Sequence, residues 1–315
     1  MLIVALLLLL NLFSCRPSAP APEADAELTL LFTGDVLLDR GIRPLAESEG
    51  VEALFDSVSP LFREADAVVV NLECPLTDTL SPVHKKYIFR ADSRWATGLR
   101  HAGITHAAMA NNHTNDQGRR GLQSTHHHLL QAGITPLGYG LGIDQQLTPA
   151  LVSKSGIDVA LFNATTLAIE NWCRVEGKPG ICQPTADELV STVSRYKAVH
   201  PHHRVVVILH WGTEFQTTPN IPQRSLAHRL AKAGADAIVG HHPHVLQPLE
   251  YIPKEQKTTT SNDVPVFYSL GNFLFDQTPP ITRRSAIASL RFHADGTLTA
   301  DTIPILLEGC RPRTR

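Results

Sequence analysis

Five times along this chain a short apolar run stops at a loop that carries carboxylate, amide or imidazole side chains. Leu28 to Phe32 stops at Thr33-Gly34-Asp35, with Asp39 and Arg40 farther along the same loop. Asp66 to Val70 stops at Asn71-Leu72-Glu73, and Ile104 to Met109 at Asn111-Asn112-His113, followed by Asp116 and Gly118. Val205 to Leu209 stops at His210-Trp211-Gly212, and Ala237 to Val239 at Gly240-His241-His242-Pro243-His244. Runs of this length and residue type read as buried strands. In an α/β sheet the C-terminal ends of the strands converge on one edge. The recurrence therefore predicts an α/β fold that gathers Asp35, Glu73, Asn112, His113, His210, His242 and His244 at a single rim. A lone carboxylate buried there costs several kcal/mol unless a cation or hydrogen-bond donors compensate it. Carboxylate, amide oxygen and imidazole together suit a divalent ion such as Zn, Mn or Fe.

The loop at residues 240–245 places three imidazoles in four positions. Pro243 fixes its own φ and biases His242 toward an extended backbone, which holds His242 and His244 apart while aiming both at one cleft. The register at Gly-His-His stays open between His241 and His242. The spacing predicts helices over Trp95 to Ala102, Gly121 to Ala132 and Ser225 to Ala233, and a mixed connection over Pro44 to Phe62. His126, His127 and His128 cannot share one helical face and read as solvated surface. Asp158 to Asn163 and Val264 to Leu270 are further strands, the latter running into Gly271-Asn272-Phe273. Ser285 to Pro304 alternates like antiparallel edge strands. No internal repeat or domain boundary interrupts residues 28–315.

With 18% charged residues and a net charge of -2, the chain lacks the basic excess of a general nucleic-acid binder. Leu2 to Leu10 is apolar but too short to span a bilayer, and it matches the core of a secretory signal, although no Lys or Arg precedes it. Leu12-Phe13-Ser14-Cys15 resembles a bacterial lipobox, with Cys15 as the lipidated residue. Residues 16–27, rich in Pro and Ala, read as a tether. The expectation is an exported, membrane-anchored lipoprotein of the cell envelope. In an oxidising compartment Cys173 and Cys182 suit a local disulfide; otherwise they are unrelated thiols.

Thr33-Gly34-Asp35, Asn71-Leu72-Glu73, Asn111-Asn112-His113 with Asp116 and Gly118, His210-Trp211-Gly212, Gly240 to Val245 and Ser269-Leu270-Gly271-Asn272-Phe273 together resemble the motif series of the CapA (PgsA-like) proteins. That family is named for bacterial capsule and poly-γ-glutamate synthesis, and it is similar to the calcineurin-like metallophosphoesterases. The resemblance spans Leu28 to Asp276. It implies a four-layer α/β/β/α sandwich with one or two divalent metal ions at one edge. It implies Asp35, Glu73, Asn112, His210, His242 and His244 as metal ligands, and His113, with Asn112 and Asp116, as the catalytic group that protonates the leaving group. Asn71, Arg90 and Asn272 are the expected substrate contacts. Leu37 stands where the phosphoesterase pattern usually has a histidine, and Glu73 near the place of a bridging aspartate, which leaves a single-metal site open. The implied activity is metal-dependent hydrolysis of a phosphoester or amide bond in an anionic envelope polymer, alongside capsule-synthesis membrane partners. The alternative is a non-catalytic, polymer-binding component of a capsule export complex. For an anionic polymer, Lys85, Lys86, Arg90, Arg94 and Arg100 form one candidate basic cluster, which also reads as ordinary solvated surface.

Overall fold

A computed structural model describes residues 26–168, 174–254 and 263–314. The signal segment with Cys15, the tether to residue 25, and Cys173 lie outside these residues. Among the described residues Cys182 is a buried, free thiol, and none of their helices is long and apolar enough to cross a membrane.

The first half of the chain forms strands β1 (Glu27–Val36), β2 (Ala67–Leu72), β3 (His106–Ala108), β4 (Thr135–Leu137), β5 (Tyr139–Gly140), β6 (Ala150–Lys154) and β7 (Ile157–Thr165). The second half forms β8 (Gly180–Ile181), β9 (Arg204–His210), β10 (Ala237–His241), β11 (Leu249–Ile252) and β12 (Val264–Phe267). It closes with β13 (Asn272–Leu274), β14 (Arg284–His293), β15 (Leu298–Glu308) and β16 (Arg311–Thr314). The helices are α1 (Arg43–Glu49), α2 (Ser59–Glu64), α3 (Trp95–His101), α4 (Gly118–Gln131), α5 (Ile143–Gln146), α6 (Ala186–Val199) and α7 (Ile221–Ala233).

One sheet runs β16-β15-β14-β1-β2-β3-β4, with β13 also paired to β1, and a second runs β11-β12-β10-β9-β7-β6. Successive strand residues point to opposite faces, and the apolar residues divide accordingly. Leu28, Leu30 and Phe32 of β1, Val69 of β2, Val159 and Leu161 of β7, Val206 and Ile208 of β9, and Ala237 and Val239 of β10 form a core between the sheets. Their neighbours Leu31, Val68, Val70, Phe162, Val205, Val207 and Ile238 face outward. There they meet Leu99 of α3, Leu122 and Leu129 of α4, Leu189 and Val193 of α6, and Leu226 and Leu230 of α7. Two sheets face to face with helices outside both make the expected four-layer α/β/β/α sandwich. Strands buried on both faces explain why the runs read as continuously apolar rather than alternating.

Three details depart from the sequence reading. Helix α6, capped by Thr185 and Glu188, and the early start of α7 at a second capping box, Asn220 with Gln223, carry weak apolar periodicity. The expected strand Val264 to Leu270 ends at Phe267, and the chain then crosses between sheets to form β13. Gly271, at φ 70°, makes that crossing.

Two glycines permit close backbone approaches at the rim. A Cβ on Gly34 would lie 2.0 Å from the Gly271 carbonyl oxygen, and one on Gly240 would lie 2.1 Å from the Tyr268 carbonyl oxygen and 2.4 Å from Trp211 Nε1. The obstacles are backbone oxygens and a buried indole, so relief requires the strands to part. Gly240→Ala is expected to lower stability by about 3 kcal/mol, the upper range for overpacking, read as a lower urea midpoint with unchanged slope.

Candidate metal centre

β1 and β2 end side by side in one sheet, and β9 and β10 in the other, because each pair is parallel. Asp35 lies opposite Asn71 on β2 and Asn272 on β13. Glu73 follows β2 directly, its backbone N–H donating to Val36 O at 2.9 Å. The register thus places two buried carboxylates at the rim with an amide on either side of Asp35.

Glu73 is fully buried, and neither of its carboxylate oxygens has a hydrogen-bond partner among the described residues. Its Oε1 lies 3.9 Å from His210 Nε2 and 3.7 Å from His244 Nε2. Asp35 accepts a 2.8 Å bond from Asn71 Nδ2 at Oδ1, and its Oδ2 lies 3.2 Å from His244 Nδ1. Two combinations bring donor atoms within 4.8 Å of one another: Glu73, His242 and His244, and Asp35, Glu73 and His210. Glu73 belongs to both, so its carboxylate can bridge two positions.

The electrostatics follow from this crowding. Burial, then the neighbouring Asp35 charge, pushes the Glu73 carboxyl well above its ordinary range. Burial also opposes ionisation of Asp35, but the hydrogen bond and charge of His244 outweigh it and hold Asp35 below its usual value. Burial works against protonating His244, yet Glu73 and Asp35 raise it to about 9. His210 moves the other way, burial and the other imidazoles holding it well below its ordinary value. Burial brings His242 down to about 4. Two carboxylates and three imidazoles, two of them neutral, are a donor set suited to a divalent cation. The orphaned oxygens of Glu73 are the buried polar atoms such an ion would satisfy, so the residues fit a metal.

It is His242 that stands with His244 at Glu73. His241 ends β10 and places Nε2 2.8 Å from Thr33 O, between the sheets. The backbone at His242 is not extended as the following proline suggests. Its φ is 98° and that of His244 is 59°, and these left-handed conformations turn both rings into the centre at the cost of local strain. Asn112 is half-buried and accepts a 2.8 Å bond from His210 Nε2. His113 Nδ1 donates to Asp116 Oδ2 at 2.8 Å. Asp116 Oδ1 lies 2.6 Å from Lys85 Nζ, and Phe89 stacks on the His113 ring at 4.1 Å. Asn111 shapes this loop, its Oδ1 accepting from the backbone of His113 and Thr114, each at 3.0 Å.

The three expected substrate contacts are held by neighbours within the chain. Asn71 is buried, bridging Asp35 Oδ1 and, at 3.3 Å, His210 Nδ1. Asn272 is buried, accepting from His244 Nδ1 at 2.9 Å and donating to Gln277 Oε1 at 2.9 Å. Both orient candidate ligand side chains, because parallel strands on either side of Asp35 bring them beside it. Arg90 turns its guanidinium to Thr77 O at 3.3 Å, holding its own loop. The other basic residues are dispersed: Arg94 pairs with Asp92 at 2.8 Å, Lys86 lies over Tyr87, and Lys85 reaches the His113 loop. Leu37 is buried in the outer core and offers no ligand. Sequence reasoning missed Asn163, whose Oδ1 accepts from Ala110 N at 2.9 Å and so ties β7 to the loop ahead of Asn112. It also missed Phe275, whose ring lies 4.9 Å from that of His244. An isolated amide inside a strand and a phenylalanine in an apolar stretch leave no local signal.

Residues 29–277 match the family model described as bacterial capsule synthesis protein PGA_cap. The chain is 30% identical over 293 residues to the PGA biosynthesis protein CapA of Bacillus subtilis (strain 168), across 92% of this chain and 74% of that one. It is 28% identical over 320 residues to the capsule biosynthesis protein CapA of Bacillus anthracis, across 99% and 76%. A probable polyglutamine synthesis accessory protein of Mycobacterium tuberculosis is 26% identical over 268 residues, across 71% and 70%. The family match takes in the whole rim, from Asp35 to Asn272, and the chain belongs to the bacterial capsule synthesis protein family PGA_cap.

Proposed function

We propose that this protein is an exported, lipid-anchored member of its family whose rim holds a divalent cation and hydrolyses a linkage in an anionic, poly-γ-glutamate-like envelope polymer. The observation that carries the metal reading is Glu73, a fully buried carboxylate with two unpartnered oxygens among Asp35, His210 and His244. The names of the Bacillus relatives support the polymer class. The apolar run ahead of Cys15 supports export and anchoring.

Asp35, Glu73, His210, His242 and His244, with Asn112, would hold the cation. Bound there, a divalent ion supplies a water of lowered pKa and polarises the substrate oxygen. The rest is done by the chain. Asp116 holds the Nδ1 proton of His113 and so fixes the tautomer, which leaves the Nε2 lone pair to take up a proton from the attacking water and hand it to the leaving group. Lys85 balances the charge of Asp116, and the stacked Phe89 fixes the imidazole plane. Burial holds the His113 imidazole below its ordinary pKa, and the hydrogen bond and charge of Asp116 offset that only in part. One observation favours a binding role without turnover: Leu37 offers no imidazole where related phosphoesterases have one.

Two experiments test this. Calorimetric titration with Mn²⁺ is expected to show binding that raises the melting temperature, with Glu73→Gln weakening it by roughly 100-fold or more. Because Glu73→Gln removes a carboxyl whose ionisation burial and Asp35 oppose, the metal-free variant should be no less stable than the parent. Absence of any Mn²⁺, Zn²⁺ or Fe²⁺ binding by the parent overturns the reading. For catalysis, His113→Gln is expected to lower phosphodiester or γ-glutamyl hydrolysis by about 10²–10⁴-fold with metal affinity intact. Equal rates of hydrolysis would remove the proton-transfer role of His113, and no hydrolysis by the parent would leave the binding role.

A further inference from the structure

The geometry points to Arg40 as the anchor for a substrate carboxylate beside the metal centre, the Asp276 carboxylate occupying that guanidinium until substrate displaces it. The inference rests on the reading of an anionic polymer as substrate.

Arg40 lies on the loop after β1, five residues past Asp35. Its guanidinium carbon sits 5.0 Å from the ring centroid of Phe89 and 5.4 Å from that of Phe275. Those rings are the ones that lie against the two key imidazoles, Phe89 on His113 at 4.1 Å and Phe275 beside His244 at 4.9 Å. The cation is therefore one ring removed from both the proton-transfer histidine and a ligand histidine. Both phenylalanines are nearly inaccessible, at 4% and 2%, whereas the Arg40 side chain is 36% exposed. Aromatic faces on which a guanidinium rests hold its plane without using its N–H groups.

Two features show a site built for a carboxylate rather than a chance surface arginine. Arg40 has a φ of 51°, a conformation an arginine adopts at a cost and one that marks functional loops. Asp39 pins it, accepting from Arg43 Nε at 3.0 Å and from the Arg90 backbone N–H at 2.7 Å. Arg40 also already binds a carboxylate: Nη2 pairs with Asp276 Oδ1, while Asp276 Oδ2 accepts from the Gly41 backbone N–H at 3.0 Å. The adjoining glycine is required, since a Cβ there would lie 2.9 Å from the Asp276 Cβ. A guanidinium has five N–H donors in a fork matched to carboxylate geometry, and among the described residues the Asp276 pair is its hydrogen-bonded contact. A chain with a carboxylate on every unit can offer one group to Arg40 while the neighbouring linkage lies at the His113 edge.

The test is binding of a γ-linked oligoglutamate, compared with a γ-linked oligoglutamine of equal length and with bis(p-nitrophenyl) phosphate, to the full chain loaded with Mn²⁺. The parent is expected to prefer oligoglutamate over oligoglutamine, and Arg40→Gln to lose at least tenfold in oligoglutamate affinity with Mn²⁺ affinity and melting temperature unchanged. Asp276→Asn keeps an acceptor for the Gly41 N–H but removes the competing charge, and it should bind oligoglutamate several-fold more tightly. Equal affinity of Arg40→Gln and parent, weaker binding by Asp276→Asn, no binding by the parent, or an Arg40 effect confined to the phosphodiester each overturns the assignment. Because Mn²⁺ affinity is measured separately, failure here is distinguishable from failure of the metal centre.

Discussion

The electrostatic problem at Glu73 organises the molecule. A carboxylate with no exposed surface and no hydrogen bond is unfavourable by several kcal/mol unless positive charge stands close by. Here it stands beside a second buried carboxylate, Asp35, which deepens the penalty. The chain supplies a partial answer in His244, whose raised proton affinity lets it act as counter-charge to both acids. Around them β2 and β13 contribute the orienting amides Asn71 and Asn272, and β9 the neutral imidazole of His210, so the sandwich works as a frame that holds mutually repelling groups together.

That frame is rigid for identifiable reasons. Val-rich strands buried on both faces leave no sheet surface free to yield. A close backbone contact at Gly34 brings β1 against the Gly271 crossing, and one at Gly240 brings neighbouring strand ends together, nearer than any side chain would permit. Asn71, Asn111, Asn163 and Asn272 spend their amides on the neighbours of the centre rather than on solvent. The stability of the fold and the strain at the rim are thus two sides of one arrangement: burial of the inter-sheet core offsets the cost of left-handed backbone at His242 and His244.

How much of this is legible in the sequence depends on the reach of each interaction. Asp35, Glu73, His210, His242 and His244 are legible because each follows an apolar run directly, and the parallel topology does the gathering. The choice of His242 over His241 is not, since it depends on a positive φ that proline usage argues against. That Asn71 and Asn272 bond Asp35, His210 and His244 is not legible either, because strand order is not written locally. The aromatic rings at Phe89 and Phe275 join the site from loops far apart in the chain, and an isolated phenylalanine looks the same in either role.

The crossing made at Gly271 has a consequence for which ions the rim can accept. Asn272 belongs to a strand hydrogen-bonded into one sheet, while the preceding β12 is paired into the other. A single stretch of backbone therefore stitches both layers within a few residues of His244, and the imidazole cannot recede without shearing that seam. A cage so tethered has little freedom to adjust its diameter. Were a cation bound there, selectivity would follow from ionic radius and preferred ligand geometry more than from charge alone.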